Sequence, residues 1–262
     1  MESISKNTVT SFDGISIHYE VQGTGTPALV FVHGWTCNKT YWAAQVAHFA
    51  HTQQVVVMDL AGHGDSGTNR KRWTMAAFGE DVRAVIDKLG LDQVVLVGHS
   101  MGGPVCLEAA RRLQDCVVGI VGVDTFNIGM WMRKCTEEEI NKIMPPFHAN
   151  FAESVCNWVR NNMFTDKSDP ALIEKIASEM SATPPEVGLG AGEELLRWDL
   201  TSALQDVKAP IRCINSSLDT TCYFDVEHMS GVGHFIMMED PSTFNRLLTE
   251  TIKEFLRLEG TE

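Results

Sequence analysis

The sequence predicts an α/β fold, with a doubly wound, mostly parallel sheet of eight strands and an all-helical insertion. Short apolar runs alternate with amphipathic helical patterns along most of the 262 residues, as expected for a sheet with crossover helices. Residues 125–207 differ, because four helical stretches follow one another there without a strand-like run. We therefore expect a core of residues 1–124 and 208–262, with a helical cap at 125–207 between the sixth and seventh strands.

The candidate strands are short apolar runs bounded by turn-forming residues. They lie at 8–12, 15–21, 28–33, 55–59, 93–98, 117–123, 211–215 and 226–229. Amphipathic segments at 40–49, 75–89, 101–113 and 241–258 are the core helices. Thr74 is a plausible N-cap of the second, and Asp240 followed by Pro241 marks the start of the last. Inside the insertion, helices are expected near 136–144, 149–163, 170–181 and 186–206.

Composition and charge exclude several classes of protein. Hydrophobic residues make up 44% of the chain and charged residues 21%, so disorder and coiled coil are excluded. The net charge is −13, and no basic cluster is longer than Arg70-Lys71-Arg72, so nucleic acid is an unexpected partner. The same negative field favours encounter with neutral small molecules.

The chain carries no sign of export or of a bound metal. The N-terminal stretch has no apolar core of a signal peptide, and the longest apolar runs are far too short for a membrane span. The seven cysteines are scattered and never spaced as CxxC, which indicates neither a disulfide framework nor a zinc site. We expect a cytoplasmic protein, monomeric or homodimeric, without metal or cofactor.

The strongest chemical signal is Gly98-His99-Ser100-Met101-Gly102-Gly103, directly after the apolar run 94–97 and before a helix. A G-x-S-x-G nucleophile elbow requires this strand–turn–helix context. The glycines allow strand and helix backbones to approach closely. Ser100 is therefore the candidate nucleophile.

A second turn lies at the end of another predicted strand, in Phe31-Val32-His33-Gly34-Trp35. In this position the backbone N–H of Trp35 would point to the same place as that of Met101, and two such donors form an oxyanion hole. We interpret His33 as a structural histidine of this loop. The glycine-rich stretch 59–67 lacks the dinucleotide-binding pattern, so we interpret it as a tight turn held by Asp59 and His63.

His234 is the candidate general base, because it lies in Gly231-Val232-Gly233-His234-Phe235 between a short strand and the last helix. Two carboxylates could orient it. Asp219 follows the strand 211–215, and Asp124 ends the strand 117–123. Both lie at the carboxyl edge of the predicted sheet, where α/β proteins place their sites.

These motifs, taken together, resemble the α/β-hydrolase superfamily, in its serine esterase and lipase-like branch with a helical cap. The HGW, DLxGHGxSG, GHSMGG and GxGHF elements occur in order, and the resemblance covers nearly the whole chain. It implies Ser100 as nucleophile, His234 as base, Asp219 as acid, and Trp35 and Met101 as oxyanion donors. One departure is that Asp219 lies only 15 residues before His234, without room for the helix that relatives place there. Asp219 is favoured, with Asp124 as the alternative acid.

The predicted cap is rich in large apolar side chains, most of which we expect in its core. Some could line an apolar pocket together with Trp35. The candidate substrate-binding residues in the cap are Phe126, Met130, Trp131, Phe147, Trp158 and Trp198. A small to medium neutral carboxylic ester is the implied substrate. Lactone hydrolysis, perhydrolysis and carbon–carbon bond hydrolysis use the same residues, and a ligand-sensing receptor with weak turnover is the alternative from another class.

Overall fold

An eight-stranded sheet forms the centre of the computed structural model, which describes residues 5–127, 133–217 and 221–259. The strands are β1 (Ser5–Thr10), β2 (Ser16–Gln22), β3 (Ala28–Val32), β4 (Val55–Met58), β5 (Val94–His99), β6 (Val117–Val123), β7 (Ile211–Ser216) and β8 (Val226–Met229). Their order is β1-β2-β4-β3-β5-β6-β7-β8. The pairs β1–β2 and β2–β4 are antiparallel, and the other neighbours are parallel. The predicted fold class is confirmed.

Helices pack on both faces of this sheet. Those associated with the sheet strands are α1 (Ala43–Phe49), α2 (Met75–Leu89), α3 (Gly102–Leu113), α10 (Ile236–Glu239) and α11 (Pro241–Glu259). Between β6 and β7 the chain forms α4 (Glu137–Ile143), α5 (Pro145–Ala149), α6 (Phe151–Asn162), α7 (Pro170–Ser181), α8 (Pro185–Arg197) and α9 (Leu200–Leu204). Within the described part of the chain, no helix is long and apolar enough to cross a membrane.

The central strands are uninterrupted apolar runs, because both faces of the sheet are buried at this point. Phe31 of β3 and Val97 of β5 belong to the core on the side of α1 and α11. Val30 and Leu96, one position earlier in each strand, belong to the core on the side of α2 and α3. Each such buried side chain contributes about 1.5–3 kcal/mol, so the centre of the sheet is a rigid support for the loops at its edge.

The start of α2 confirms the predicted N-cap, because the side chain of Thr74 accepts a hydrogen bond from the N–H of Ala77. Gly90 ends the helix in the left-handed conformation, with φ +61°. Glycine adopts this conformation without steric cost.

The prediction of one helix over 186–206 is wrong. Helix α8 ends at Arg197, and Trp198 is extended, with ψ 144°. The Asp199 side chain then accepts hydrogen bonds from the N–H groups of Thr201 and Ser202, which starts α9. An aspartate at this position competes with a continuous helix because it caps a new one.

Pro145 and Pro146 lie between the helices predicted at 136–144 and 149–163, but in the structure they start a separate helix, α5. Proline is compatible with the first helical positions, where its missing N–H has no partner to lose. Helix α6 begins directly afterwards, where the Asn150 side chain accepts a hydrogen bond from the N–H of Glu153.

Candidate active site

Ser100 lies in the sharp turn between β5 and α3. Its φ is +53°, a left-handed conformation that is uncommon for a residue with a side chain and that clusters at functional sites. The turn is tight: a Cβ on Gly98 would lie 2.3 Å from the carbonyl oxygen of Gly102. A Cβ on Gly102 would lie 2.4 Å from the carbonyl oxygen of Val32. Glycine at both positions therefore allows Ser100 to sit at the N-terminus of α3, which favours negative charge.

The loop after β3 packs against this turn. A Cβ on Gly34 would lie 3.1 Å from the Cβ of Ser100. The backbone N–H groups of Trp35 and Met101 make no hydrogen bond within the residues that the structure describes. Two amide donors without a hydrogen-bond partner, one from this loop and one from the turn at Ser100, are what the predicted oxyanion hole requires.

His234 contacts Asp124, the carboxylate that the sequence offers as the alternative acid. Its Nδ1 lies 2.5 Å from Oδ2 of Asp124. The other carboxylate oxygen, Oδ1, accepts a hydrogen bond of 2.7 Å from the N–H of Ser216, at the end of β7. Asp124 itself has φ +45°, so its backbone also adopts an unusual conformation to present the carboxylate. Asp219 lies outside the described residues.

The environment of Asp124 keeps its carboxylate charged. Only 7% of the residue is exposed, and this burial raises the pKa of the carboxyl group. The hydrogen bond and charge of His234, together with the N–H of Ser216, outweigh burial and lower the pKa below its usual range. An ionised carboxylate at Nδ1 holds the other ring nitrogen of His234, Nε2, free to act as a base.

Ser100, His234 and Asp124 line one cavity. The described residues show no hydrogen bond between Ser100 Oγ and His234 Nε2. Such bonds are often long without substrate, so the arrangement brings the groups into one cavity without fixing their contact.

His99 contacts both the backbone and the ring of His234. Its Nε2 donates a hydrogen bond of 3.0 Å to the carbonyl oxygen of His234, and the two ring centroids are 4.6 Å apart. Burial and the neighbouring His234 lower the pKa of His99 to about 3. A neutral His99 therefore fixes the backbone of His234 without competing for its proton.

His33 and His63 have structural roles. Nε2 of His33 accepts a hydrogen bond from the N–H of Leu60, and its Nδ1 donates to the carbonyl of Gly34. Nε2 of His63 accepts from the N–H of Thr36, and its Nδ1 donates to a carbonyl. Each ring thus has one donor and one acceptor, as a neutral imidazole does. Both histidines hold the loop after β3 in place.

The cavity has a volume of about 280 Å³. Of the predicted substrate-binding residues, Trp35, Phe147 and Trp158 line it. Phe126 and Trp198 are not among its described lining residues. Phe126 is fully buried and packs against Phe224.

Trp198 contacts the core instead of the cavity: its indole Nε1 donates a hydrogen bond of 3.0 Å to Oε1 of Glu108 in α3. An aromatic residue at helical spacing cannot be distinguished by sequence from one that faces a pocket. Met130 and Trp131 lie outside the described residues.

Several lining residues are not among the site residues that the sequence analysis names. They are Cys37, His99, Thr125, Asn127, Met144, Asn162, Met163, Met180, Gly192, Leu195, Ser216 and Phe235. Thr125 and Asn127 follow Asp124 at the carboxyl edge of the sheet, so the edge rule that identified Asp124 could have found them. His99 directly precedes Ser100, Phe235 directly follows His234, and Ser216 ends β7 at the same edge. Most of the others come from the insertion, where no local pattern distinguishes a lining residue from a core residue.

Among the described residues, one group has the donor atoms of a metal site: His18, Asp59 and Asp65. The ammonium group of Lys39 lies there, 2.7 Å from Asp59 and 2.8 Å from Asp65. A buried lysine paired with two carboxylates compensates their charge. Asp59 also accepts a hydrogen bond of 3.0 Å from the N–H of Asp65, in line with the structural role in the turn of residues 59–67 that the sequence interpretation gives Asp59.

Comparisons with known proteins show which proteins this chain is similar to. A family model described as the alpha/beta hydrolase fold matches residues 27–204. The 3-oxoadipate enol-lactonase 2 of Acinetobacter baylyi is 24% identical over 267 residues, covering 95% of this chain and 97% of that protein.

Two solved structures extend the similarity to the fold. A thermophilic esterase from Thermogutta terrifontis, with malate bound, has a TM-score of 0.83 and 24% identity, covering 96% of this chain and 99% of that chain. An esterase from Exiguobacterium antarcticum has a TM-score of 0.82 and 16% identity, covering 95% and 100%. The family match spans well over half of the sequence, and the elbow, loop and sheet of the structure agree with it. The chain belongs to the alpha/beta hydrolase fold family.

Proposed function

We propose that the chain is a serine hydrolase that cleaves neutral carboxylic esters through an acyl-enzyme intermediate. The observation that carries the proposal is the hydrogen bond from His234 to the buried Asp124, in the cavity that Ser100 also lines. Membership of the family and the esterase and lactonase relatives support an enzyme that acts on ester bonds.

In the proposed mechanism, Nε2 of His234 takes the proton of Ser100 as Oγ attacks the ester carbonyl carbon. The negative oxygen that develops accepts hydrogen bonds from the N–H groups of Trp35 and Met101. His234 then donates its proton to the departing alcohol. Water, activated by the same imidazole, hydrolyses the acyl-enzyme and restores Ser100.

We assign the acid to Asp124 instead of Asp219. The single hydrogen on Nδ1 of a neutral His234 has one main acceptor, and Asp124 Oδ2 lies in position to accept it. The lowered pKa of Asp124 keeps that acceptor charged.

The cavity suits a neutral substrate of small to medium size. None of its described lining residues is lysine or arginine, so a substrate carboxylate would enter without a cation to compensate its charge. Most of the wall is apolar, with a few polar groups near Ser100. Lactone hydrolysis is the second candidate, because a lactone is a cyclic ester and the enol-lactonase relative covers nearly the whole chain.

We further propose that residues 125–207 act as a cap over the site. Helices between β6 and β7 supply part of the wall, including Phe147 and Trp158. The indole Nε1 of Trp35 donates a hydrogen bond of 2.7 Å to the carbonyl of Gly188 in α8. This bond ties the oxyanion loop to the insertion.

Labelling with a fluorophosphonate tests the nucleophile. We expect the modified peptide to contain Ser100 and expect p-nitrophenyl butyrate to be hydrolysed well above the uncatalysed rate. The Ser100→Ala variant should lose labelling and about 10⁶-fold of kcat. Ser202→Ala is the matched control, because Ser202 is exposed on α9. Labelling of another residue, or turnover within tenfold of wild type in Ser100→Ala, would contradict the proposal.

A further inference from the structure

Asn127 is a polar side chain in the cavity wall, three residues after Asp124. It is partly exposed, and its amide orientation is set by two neighbours, Thr125 and Asn215. We call these three residues the amide relay. An amide has a donor nitrogen and an acceptor oxygen. The orientation of one amide in the relay therefore determines the orientation of the next.

The relay starts at the backbone of Thr125. Its N–H is a donor, and it lies 3.2 Å from the side chain of the fully buried Asn215, so the atom that it faces is Oδ1. The amide nitrogen of Asn215 therefore points the other way. It donates to the carbonyl of Thr125 at 3.0 Å and to Oδ1 of Asn127 at 2.7 Å.

Because its Oδ1 faces the NH₂ group of Asn215, the NH₂ group of Asn127 points away from Asn215. The described residues give that nitrogen no protein acceptor. Asn162, an exposed residue that also lines the cavity, differs, because one of its two amide N–H groups donates to the carbonyl of Trp158. A donor group in a mostly apolar cavity discriminates strongly between ligands with and without an acceptor.

We infer that Asn127 is a specificity-determining residue that donates a hydrogen bond to a second acceptor oxygen of the substrate, beside the ester carbonyl. This inference rests on the proposed function. It defines the substrate class further: a neutral ester that carries an ether, ketone or amide oxygen on its acyl or alcohol part. An ester with a purely hydrocarbon chain would leave the NH₂ group of Asn127 desolvated and without a partner, which costs binding.

Two isosteric substrate pairs test the inference. p-Nitrophenyl methoxyacetate is compared with p-nitrophenyl butyrate for the acyl side, and 2-methoxyethyl acetate with butyl acetate for the alcohol side. Each kcat/KM is divided by the rate constant of alkaline hydrolysis, which removes the intrinsic reactivity. We expect wild type to prefer the oxygenated ester about fivefold in at least one pair, the effect of one hydrogen bond.

The variants are Asn127→Asp and Asn127→Leu. Asn127→Asp keeps an oxygen for Asn215 and removes the donor, whereas Asn127→Leu removes the donor without adding charge. Both should bring the normalised ratio to about one. Asn162→Asp is the matched control, since it adds the same charge at the rim and should leave the ratio unchanged.

The outcomes separate the two proposals. If none of the four esters is hydrolysed, the proposed function fails, and this inference with it. If wild type hydrolyses them with normalised ratios near one, the role of Asn127 alone is contradicted, whether or not the variants fold. A loss of preference in Asn162→Asp as large as in Asn127→Asp would also contradict it, because charge and not the donor would then be the cause.

Discussion

The Nδ1 atom of His234 lies 2.5 Å from Oδ2 of Asp124, although 110 positions of sequence separate the two residues. The sheet brings them together: Asp124 follows β6, and β7 alongside it supplies the N–H of Ser216 that holds the other carboxylate oxygen. Asp124 thus accepts hydrogen bonds from a backbone amide and from an imidazole. These two hydrogen bonds fix the carboxylate of Asp124 and so restrict the orientation of the His234 ring.

Gly102→Ala should destabilise the nucleophile elbow. The added Cβ would lie 2.4 Å from the carbonyl oxygen of Val32, and relieving such an overlap costs about 1–3 kcal/mol. We expect a lower free energy of unfolding in urea, together with a lower kcat because Ser100 moves. Gly192→Ala in α8 is the matched control: its Cβ would make an ordinary contact of 3.4 Å with Trp35. Equal free energies of unfolding for Gly102→Ala and wild type would contradict the close approach of Gly102 to the Val32 carbonyl.

Trp158 and Trp198 should respond differently to substitution. Trp158 lines the cavity, so Trp158→Ala should raise the KM for p-nitrophenyl butyrate several-fold through lost apolar contact. Trp198→Phe loses the hydrogen bond to Glu108, which should cost about 1 kcal/mol of stability and leave KM unchanged. Steady-state kinetics and urea unfolding separate the two effects. An increase in KM for Trp198→Phe equal to that of Trp158→Ala would place Trp198 at the substrate after all.

Stability should fall as the pH is lowered below about 6.5. Burial lowers the pKa of both His63 and His99 to about 3 in the folded chain, and a neighbouring histidine adds to each shift. The unfolded chain therefore binds a proton at each histidine at a higher pH than the folded chain does, so the stabilisation is complete above pH 6.5 and is lost towards pH 3.

Between pH 6 and 4.5 we expect the free energy of unfolding to fall by about 1 kcal/mol per pH unit for each of these histidines. Urea titrations across this range measure the slope. His63→Gln should reduce it, whereas His51→Gln, at an exposed position, should not. A free energy of unfolding that does not change between pH 6 and 4.5 would contradict neutral, buried histidines.

The fold could be predicted largely from local patterns. Strands such as β3 and β5 are buried on both faces, so hydrophobicity alone marks them. Ser100 was identifiable for a similar reason, because its elbow depends on glycines within a few residues of it. The sequence did not predict helix α5, because Pro145 and Pro146 start a helix there instead of ending one. It did not predict the break before α9 either, because Asp199 caps a new helix.

Local sequence patterns do not decide which of the two candidate carboxylates orients His234. Asp124 and Asp219 both follow strands that end at the same edge of the sheet. The favoured orientation of Asp124 depends on its left-handed backbone and on an N–H from β7, which are tertiary features. The amide of Asn127 is likewise oriented by Asn215, from a distant strand.

The most direct test of the account compares kcat for Asp124→Asn and Asp219→Asn, with circular dichroism to confirm that each variant is folded. Asparagine keeps the size of aspartate but cannot stabilise the imidazolium or hold the correct tautomer, so replacing the triad acid costs about 10⁴-fold in kcat. We expect this loss for Asp124→Asn and turnover within a few-fold of wild type for Asp219→Asn. Near-normal turnover in a folded Asp124→Asn variant, with a collapse in Asp219→Asn, would contradict the assignment of Asp124 as the partner of His234.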